Sequence, residues 1–167
     1  VVAHPADGLV TKAGPSATPV NYQFRITGSW TDTGYGLNKG GYKTQKRLIY
    51  VVQMTNGNFY SIGDDITSPT NAWVHYAGVA DAATSNLYVY RNAVCVGTTA
   101  VGAAYAPGYN NEPLRIGASG YFSDGLNNYS DAAFSDVRIW NVARTPEQIA
   151  ASYTNRLTGA EEGLVGY

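Results

Sequence analysis

The chain has 167 residues, of which 44% are hydrophobic and only 14% are charged, with a formal net charge of −1. This length fits one domain, and the near-neutral charge excludes a general electrostatic field that would attract nucleic acid. The low charge implies a polar surface of Asn, Ser, Thr and Tyr, which is typical of β-rich extracellular proteins. No apolar run approaches the ~20 residues that a membrane-spanning helix needs and nothing resembles a signal peptide, so we expect no membrane insertion and an already processed or excised piece.

Alternation of apolar and polar residues predicts a series of short β-strands. In the segment 21–28, Tyr22, Phe24 and Ile26 fall on one predicted face and polar residues on the other. Residues 47–54 are apolar on both faces, which predicts a central strand, and Asn56–Gly57 predicts a hairpin to 58–62. Further strands are predicted at 72–80, 86–91, 94–97, 113–119 and 134–141.

A helix is predicted near the end of the chain, at about 145–154. Thr145 can cap it, Pro146 suits the first helical position, and Gln148 completes a capping box. The sequence therefore predicts an all-β fold, a two-sheet antiparallel jelly-roll sandwich with one short C-terminal helix. The longest loops are expected at 28–46, 63–71, 98–112 and 119–131.

Two chemically distinctive residues fall inside predicted strands. Cys95 is the only cysteine and cannot form an internal disulfide. Its place in 94–97 predicts a small buried side chain rather than a reactive thiol. His75 lies in 72–80, where we expect a hydrogen-bonded structural histidine rather than a general base.

Loop aromatics and amides form a candidate carbohydrate site, because sugars bind exposed aromatic rings flanked by polar hydrogen-bonding groups. Taken singly, these aromatics are as well explained by packing beneath long loops, but as a set they favour a glycan site. The candidate ligand-binding residues are Trp30, Asp32, Tyr35, Tyr105, Tyr109, Asn110, Asn111, Tyr121, Asp124, Asn127 and Tyr129.

Two further loop clusters are candidates for charged ligands. A basic patch is formed by Lys39, Tyr42, Lys43, Lys46 and Arg47. This patch could bind anionic glycans, or it could simply keep the next strand soluble. Carboxylates at Asp64, Asp65, Asp124 and Asp131 supply the oxygen ligands that Ca²⁺ prefers, although turn chemistry alone explains them too. We take Asp124 and Asp131 as the candidate ligands of a structural calcium ion.

Several motifs resemble those of the laminin-G-like, concanavalin A-like lectin/glucanase family. "FSDVRIWNVARTPEQIAASY" resembles the C-terminal signature of these jelly-roll domains, and "AWVHYAGVADAATSNLYVYRNAVC" resembles an upstream hairpin. "EPLRIGAS" resembles the strand before the final loop. The resemblance implies one such domain over residues 1–167, with 158–167 as a linker or an edge strand.

The resemblance also implies what the domain does. Glycanases of this fold carry an E-x-D-x-x-E strand, which is absent here, so we expect a non-catalytic carbohydrate-binding or adhesion module. The family's first strands are also missing, which would leave a sheet edge open to the C-terminal segment, a second copy or another chain. A structural subunit assembled by strand complementation is the alternative, and a fragment of a polysaccharide lyase is a further one.

Overall fold

Strands paired in antiparallel sheets are the main regular structure in this computed structural model. It describes residues 6–13, 21–27, 47–65, 72–118, 129–130 and 132–167. The strands are β1 (Ala6–Lys12), β2 (Tyr22–Thr27), β3 (Arg47–Gln53), β4 (Phe59–Asp65), β5 (Tyr76–Asp81), β6 (Asn86–Arg91), β7 (Val94–Ala100), β8 (Arg115–Ile116), β9 (Ile139–Trp140) and β10 (Leu164–Gly166). One α-helix, α1 (Pro146–Ser152), lies between β9 and β10, and a short 3-10 helix, Gly102–Ala104, follows β7. The predicted fold class is confirmed.

The described strands form three sheets. A five-stranded sheet has the order β4-β3-β2-β1-β8, a three-stranded sheet has the order β5-β6-β7, and β9 pairs only with β10. Residues 47–54 are central as predicted, since β3 lies between β2 and β4 and its residues Leu48 to Val52 are all buried.

The main core lies between the five-stranded and the three-stranded sheets. Its most buried members include Leu48, Val52 and Met54 from one sheet and Leu87 and Val89 from the other. Complete burial of such a side chain contributes about 1.5–3 kcal/mol, so this interface dominates the stability of the fold.

A second, smaller cluster lies on the opposite face of the three-stranded sheet. Ile149 of α1 packs there against Val79 and Tyr90. The helix forms where the sequence predicts it, because Thr145 accepts a hydrogen bond from the Gln148 N–H while the Gln148 side chain accepts one from the Thr145 N–H. The layers are therefore sheet, sheet and helix.

Both predicted hairpins form, with turns that suit their residues. Gly57 has φ of 85° and closes the β3–β4 turn, in which its N–H donates to the Met54 carbonyl. Asn92 and Ala93 both have positive φ, 47° and 65°, and join β6 to β7 as a type I′ turn.

Three predicted strands are shorter than expected. Strand β5 starts only at Tyr76, β8 keeps two residues, and β9 keeps two of the predicted 134–141. Asp136 has φ of 52°, outside the extended region, which interrupts the last of these strands before β9.

Three predictions about individual side chains are wrong. Cys95 is exposed, because it lies on the solvent-facing side of β7 just after the turn. Gln23, expected on a solvated face, is only 2% exposed, since the second face of the five-stranded sheet is buried at this point together with Thr11 and Val51. His75 precedes β5 instead of lying within it.

Candidate functional site

Most residues of the predicted carbohydrate, basic and calcium sites lie outside the described part of the chain. The residues concerned are Trp30, Asp32, Tyr35, Lys39, Tyr42, Lys43, Lys46, Tyr121, Asp124, Asn127 and Asp131, with the side chain of Arg47. Their roles stay predictions. The described candidates are Tyr105, Tyr109, Asn110 and Asn111, which share the loop between β7 and β8, and Tyr129.

Backbone hydrogen bonds anchor this loop to the β3–β4 hairpin. The Gly108 N–H donates to the Gln53 carbonyl at 2.7 Å, and the Thr55 N–H donates to the Ala106 carbonyl at 2.7 Å. Pro107 also forms an isolated bridge with Met54. The loop therefore presents its side chains from a fixed backbone.

Asn110 is part of this anchoring. Its side-chain Oδ1 accepts a hydrogen bond from the Glu112 N–H at 3.0 Å, and its Nδ2 donates to the Lys12 carbonyl at 3.3 Å. Arg115 Nη1 donates to the Ala13 carbonyl at 2.7 Å and ties the far end of the loop to the same end of β1. The side-chain amide of Asn110 is therefore already hydrogen-bonded within the protein, and its main role is to hold the loop in place.

The predicted aromatic residues have different environments. Tyr109 is 80% exposed and Tyr129 is 68% exposed, as a stacking platform requires. Tyr105 instead is half-buried against the main core, and burial raises the pKa of its hydroxyl, with a smaller contribution from the charge of Asp81. Asn111, two residues after Tyr109, is exposed.

An exposed tryptophan lies outside the set of predicted site residues. Trp73 is 72% exposed, because the strand predicted at 72–80 begins three residues after it. The sequence carries no clear signal for this exposure, because alternation of apolar and polar residues does not fix the residue at which a strand begins.

Trp73 lies at a large apolar groove of about 1050 Å³. The groove is bounded by the strand β5 with the residues before it, by the segment 132–144, and by aromatic side chains of the five-stranded sheet such as Phe24 and Tyr50. Trp140 lines it as well, with the Arg144 guanidinium 4.2 Å from the centre of its ring. This groove was not predicted from the sequence, because it forms between elements that are far apart in the chain.

His75 lines the groove without the partners of a catalytic base. Its backbone exchanges hydrogen bonds with Asn92, and its ring lies 5.8 Å from the ring of Tyr153. Burial lowers the pKa of the imidazole, and the charge of Arg138 lowers it further. Within the described residues Nδ1 has no hydrogen-bond partner, contrary to the predicted hydrogen-bonded histidine.

Asp64 has a structural role that the sequence did not indicate. It was predicted in a loop, but it lies in β4 and is only 9% exposed. Its Oδ2 accepts hydrogen bonds from Arg91 Nη1 at 2.9 Å and from the Tyr76 hydroxyl at 3.3 Å. These contacts join the two sheets of the sandwich.

The described residues contain no group of three or more His, Cys, Asp or Glu side chains that could hold a metal ion. Calcium binding by Asp124 and Asp131 is untested by this, since both lie outside that part of the chain. Among the same described residues, no helix is long and apolar enough to cross a membrane.

Comparison with known proteins gives one match. A laminin-G-like family model, described as the concanavalin A-like lectin/glucanases superfamily, matches residues 13–150. Neither the curated proteins nor the solved structures contain a significant match.

Proposed function

Because this chain belongs to the concanavalin A-like lectin/glucanase superfamily, we propose that it is a non-catalytic, extracellular carbohydrate-binding or adhesion module. The family match over residues 13–150 supports a carbohydrate-binding type of domain in general. The glycan site, the extracellular location and the absence of catalysis are the parts that we add.

The observation that carries the proposal is Tyr109, which is 80% exposed on an anchored loop. A sugar offers an apolar face on which an exposed aromatic ring can stack. The hydrogen bonds of Gly108 and Asn110 fix the loop before any ligand arrives, so binding loses little conformational entropy.

A polar group suited to sugar hydroxyls follows this ring closely in the sequence. Asn111, two residues after Tyr109, is exposed, and its amide can donate and accept hydrogen bonds. The predicted residues of the other loops, Trp30 and Tyr121 among them, would extend the site, and the basic patch of Lys39 to Arg47 would favour anionic glycans.

A glycan array with the whole chain tests the proposal. We expect binding to at least one glycan, and we expect Tyr109→Ala to weaken it by about tenfold, the loss that a stacking contact of about 1.4 kcal/mol predicts. Val94→Ala is a control, since Val94 is 65% exposed at a distant turn. The proposal fails if no glycan binds.

Two further variants locate the site. Tyr129→Ala tests the second exposed tyrosine, and Trp73→Ala tests the exposed ring at the groove. Loss of binding with Trp73→Ala alone would contradict the loop site and move it to the groove. For an anionic glycan, a steep fall of affinity with salt would support the basic patch.

A further inference from the structure

The segment 157–167, which follows α1, is held to the rest of the domain along a defined path. Within it, β10 pairs antiparallel with β9, and the Asn141 N–H donates to the Gly163 carbonyl at 2.9 Å. Gly163 has φ of 80°, and a Cβ atom added there would collide with Val142, so the close approach of the two strands requires glycine.

A carboxylate closes the turn that leads into β10. Glu161 accepts hydrogen bonds from the Thr158 N–H at 2.8 Å, from the Thr158 hydroxyl at 2.9 Å and from the Gly159 N–H at 2.9 Å. Its pKa falls to about 2, mainly through the hydrogen bond from the Thr158 N–H, so the carboxyl is ionised at neutral pH. The Glu161 carbonyl also accepts from the Leu164 N–H at 3.0 Å, at the first residue of β10.

Tyr167 fastens the other end of the segment to the residues before β9. Its hydroxyl donates to Asp136 Oδ1 at 2.9 Å and accepts a hydrogen bond from the Leu157 N–H at 3.3 Å. The Arg138 guanidinium lies 5.8 Å from the centre of the Tyr167 ring, within the range of a cation–π contact. One side chain thus joins the segment both to its own first residue and to the residues before β9.

Arg138 extends this contact to the end of α1. Its Nη1 donates to the Ser152 carbonyl at 2.8 Å, and its Nη2 donates to the Asn155 carbonyl at 2.5 Å. The last carbonyls of a helix have no partner inside the helix, so bonds of this kind stabilise a helix end. Since α1 has only seven residues, it depends on such contacts from outside.

The contacts of this region are of the kind that open locally. Helix α1 reaches the sandwich through Ile149, which packs against Val79 and Tyr90 in the small cluster. The hydrogen bonds of the segment 157–167 lie at exposed residues. Few buried apolar contacts and exposed hydrogen bonds give a region a lower free energy of opening than the core has.

We propose that residues 157–167 form a strap that holds α1 against the sandwich, and that strap and helix open together as one unit while the main core stays folded. Tyr167 fastens the strap, and Arg138 links it to the end of the helix. Arg138, Trp140 and Ser152 also line the apolar groove, so opening of the unit displaces one wall of the groove. The segment is thus a movable part of the domain and not a linker.

Native-state amide hydrogen exchange of the whole chain tests the proposal. The reporters are the Tyr153 N–H, which donates to the Ile149 carbonyl of α1, and the Asn141 N–H, which donates to the strap. We expect both reporters to exchange through openings of similar free energy, and more readily than the amides of β3. Equal protection of β3 and both reporters would overturn the proposal, because the strap would then open only with the whole domain.

The variant Tyr167→Ala distinguishes one unit from independent fraying. We expect it to speed exchange at both reporters by the same factor, about tenfold, because both lie in the unit that Tyr167 fastens. Tyr167→Phe keeps the ring over Arg138 and should have a smaller effect. Val165→Ala is the matched control, since Val165 is exposed on the same strand, and it should change neither reporter. Faster exchange at Asn141 alone would overturn the proposal.

A variant of the main core supplies the converse test. Ile62→Val removes one carbon from the core, which stays folded when the strap opens. It should speed exchange in β3 about fivefold and leave both reporters unchanged, because the closed and the strap-open states lose the same contact. Acceleration of the reporters by the same factor as β3 would also overturn the proposal.

Discussion

Asp64 illustrates how one side chain can hold two sheets together. Its carboxylate in β4 accepts hydrogen bonds from Arg91 in β6 and from Tyr76 in β5. The Arg91 side chain is 34% exposed and that of Asp64 is 10% exposed, so solvent screens this ion pair only in part. Its contribution lies between those of a surface and a buried pair.

We predict that Asp64→Asn lowers the free energy of unfolding by about 1–2 kcal/mol, because it removes a charge that accepts two hydrogen bonds. Urea unfolding measures this. Glu112→Gln is the matched control, because its pair with Arg115 is longer, at 3.5 Å, and joins residues only three positions apart in the chain. If the two variants lost the same free energy of unfolding, the contact between the sheets would stabilise the fold no more than the local pair does.

His75 predicts a pH dependence of stability. Burial lowers its pKa in the folded state below the usual value of about 6.5, so the unfolded chain takes up the proton first as the pH falls. We therefore expect the contribution of His75 to the free energy of unfolding to be at its full value above about pH 6.5. The domain should lose this stability as the pH falls below that value. His75→Gln should flatten this part of the pH profile in urea unfolding, and His4→Gln measures the share of the other histidine.

At the scale of single elements, α1 was the most accurately predicted. Its start depends on local chemistry, Thr145, Pro146 and Gln148, which the sequence displays directly. Strands β8 and β9 were predicted too long, because alternation shows that a segment can be a strand but not whether a partner strand lies beside it. The hairpins β3–β4 and β6–β7 were predicted well, since their partners are neighbours in sequence.

We predict that Thr145→Ala destabilises the domain by about 1 kcal/mol, since it removes the side chain that caps α1. Thr145→Ser keeps the hydroxyl and should cost much less. Thermal unfolding of the two variants checks the difference. An equally large loss with Thr145→Ser would mean that the methyl group and not the cap is responsible.

Packing between the two sheets depends on glycines at close approaches. A Cβ atom added at Gly78 of β5 would lie 2.7 Å from ring atoms of both Phe24 and Tyr50. A Cβ at Gly97 of β7 would lie 2.7 Å from Ile62 Cδ1, the end of a flexible side chain. The two sites thus differ in how easily the neighbour can move.

Gly78→Ala should therefore cost about 1–3 kcal/mol, the usual range for overpacking, and Gly97→Ala should cost less. Urea midpoints of both variants measure the difference. A greater loss at Gly97 would show that Ile62 has no room to change its rotamer.

At the scale of the whole molecule, the sequence predicted the fold class and the family but little of the site. Fold class follows from alternation and turn residues repeated along the chain, such as Asn56–Gly57. Features of the site depend on which distant segments of the chain pack together, and periodicity carries no information about such packing. The exposure of Tyr109 and Trp73, the burial of Gln23 and the groove are all of this kind.

Calcium binding is a property of the whole molecule that can be measured directly. If Asp124 and Asp131 hold the ion, calcium at about 100 times its dissociation constant should stabilise the fold by about 2.7 kcal/mol. Thermal unfolding in calcium and in a chelator measures this, and the double variant Asp124→Asn, Asp131→Asn should remove the difference. Identical unfolding of the unaltered chain in both buffers would contradict the predicted metal site.

In the turn between β6 and β7, the backbone conformation of Ala93 destabilises the fold and its side-chain contact stabilises it. Ala93 has φ of 65°, a conformation that costs alanine about 1 kcal/mol more than glycine, yet its methyl group packs against the cluster around Ile149. Complete burial of one such carbon returns about 0.8 kcal/mol, and Ala93 is only partly buried, so this contact offsets part of the cost. Ala93→Gly would relieve the backbone and remove the contact at the same time, so the stability of the turn depends on the difference between two small energies.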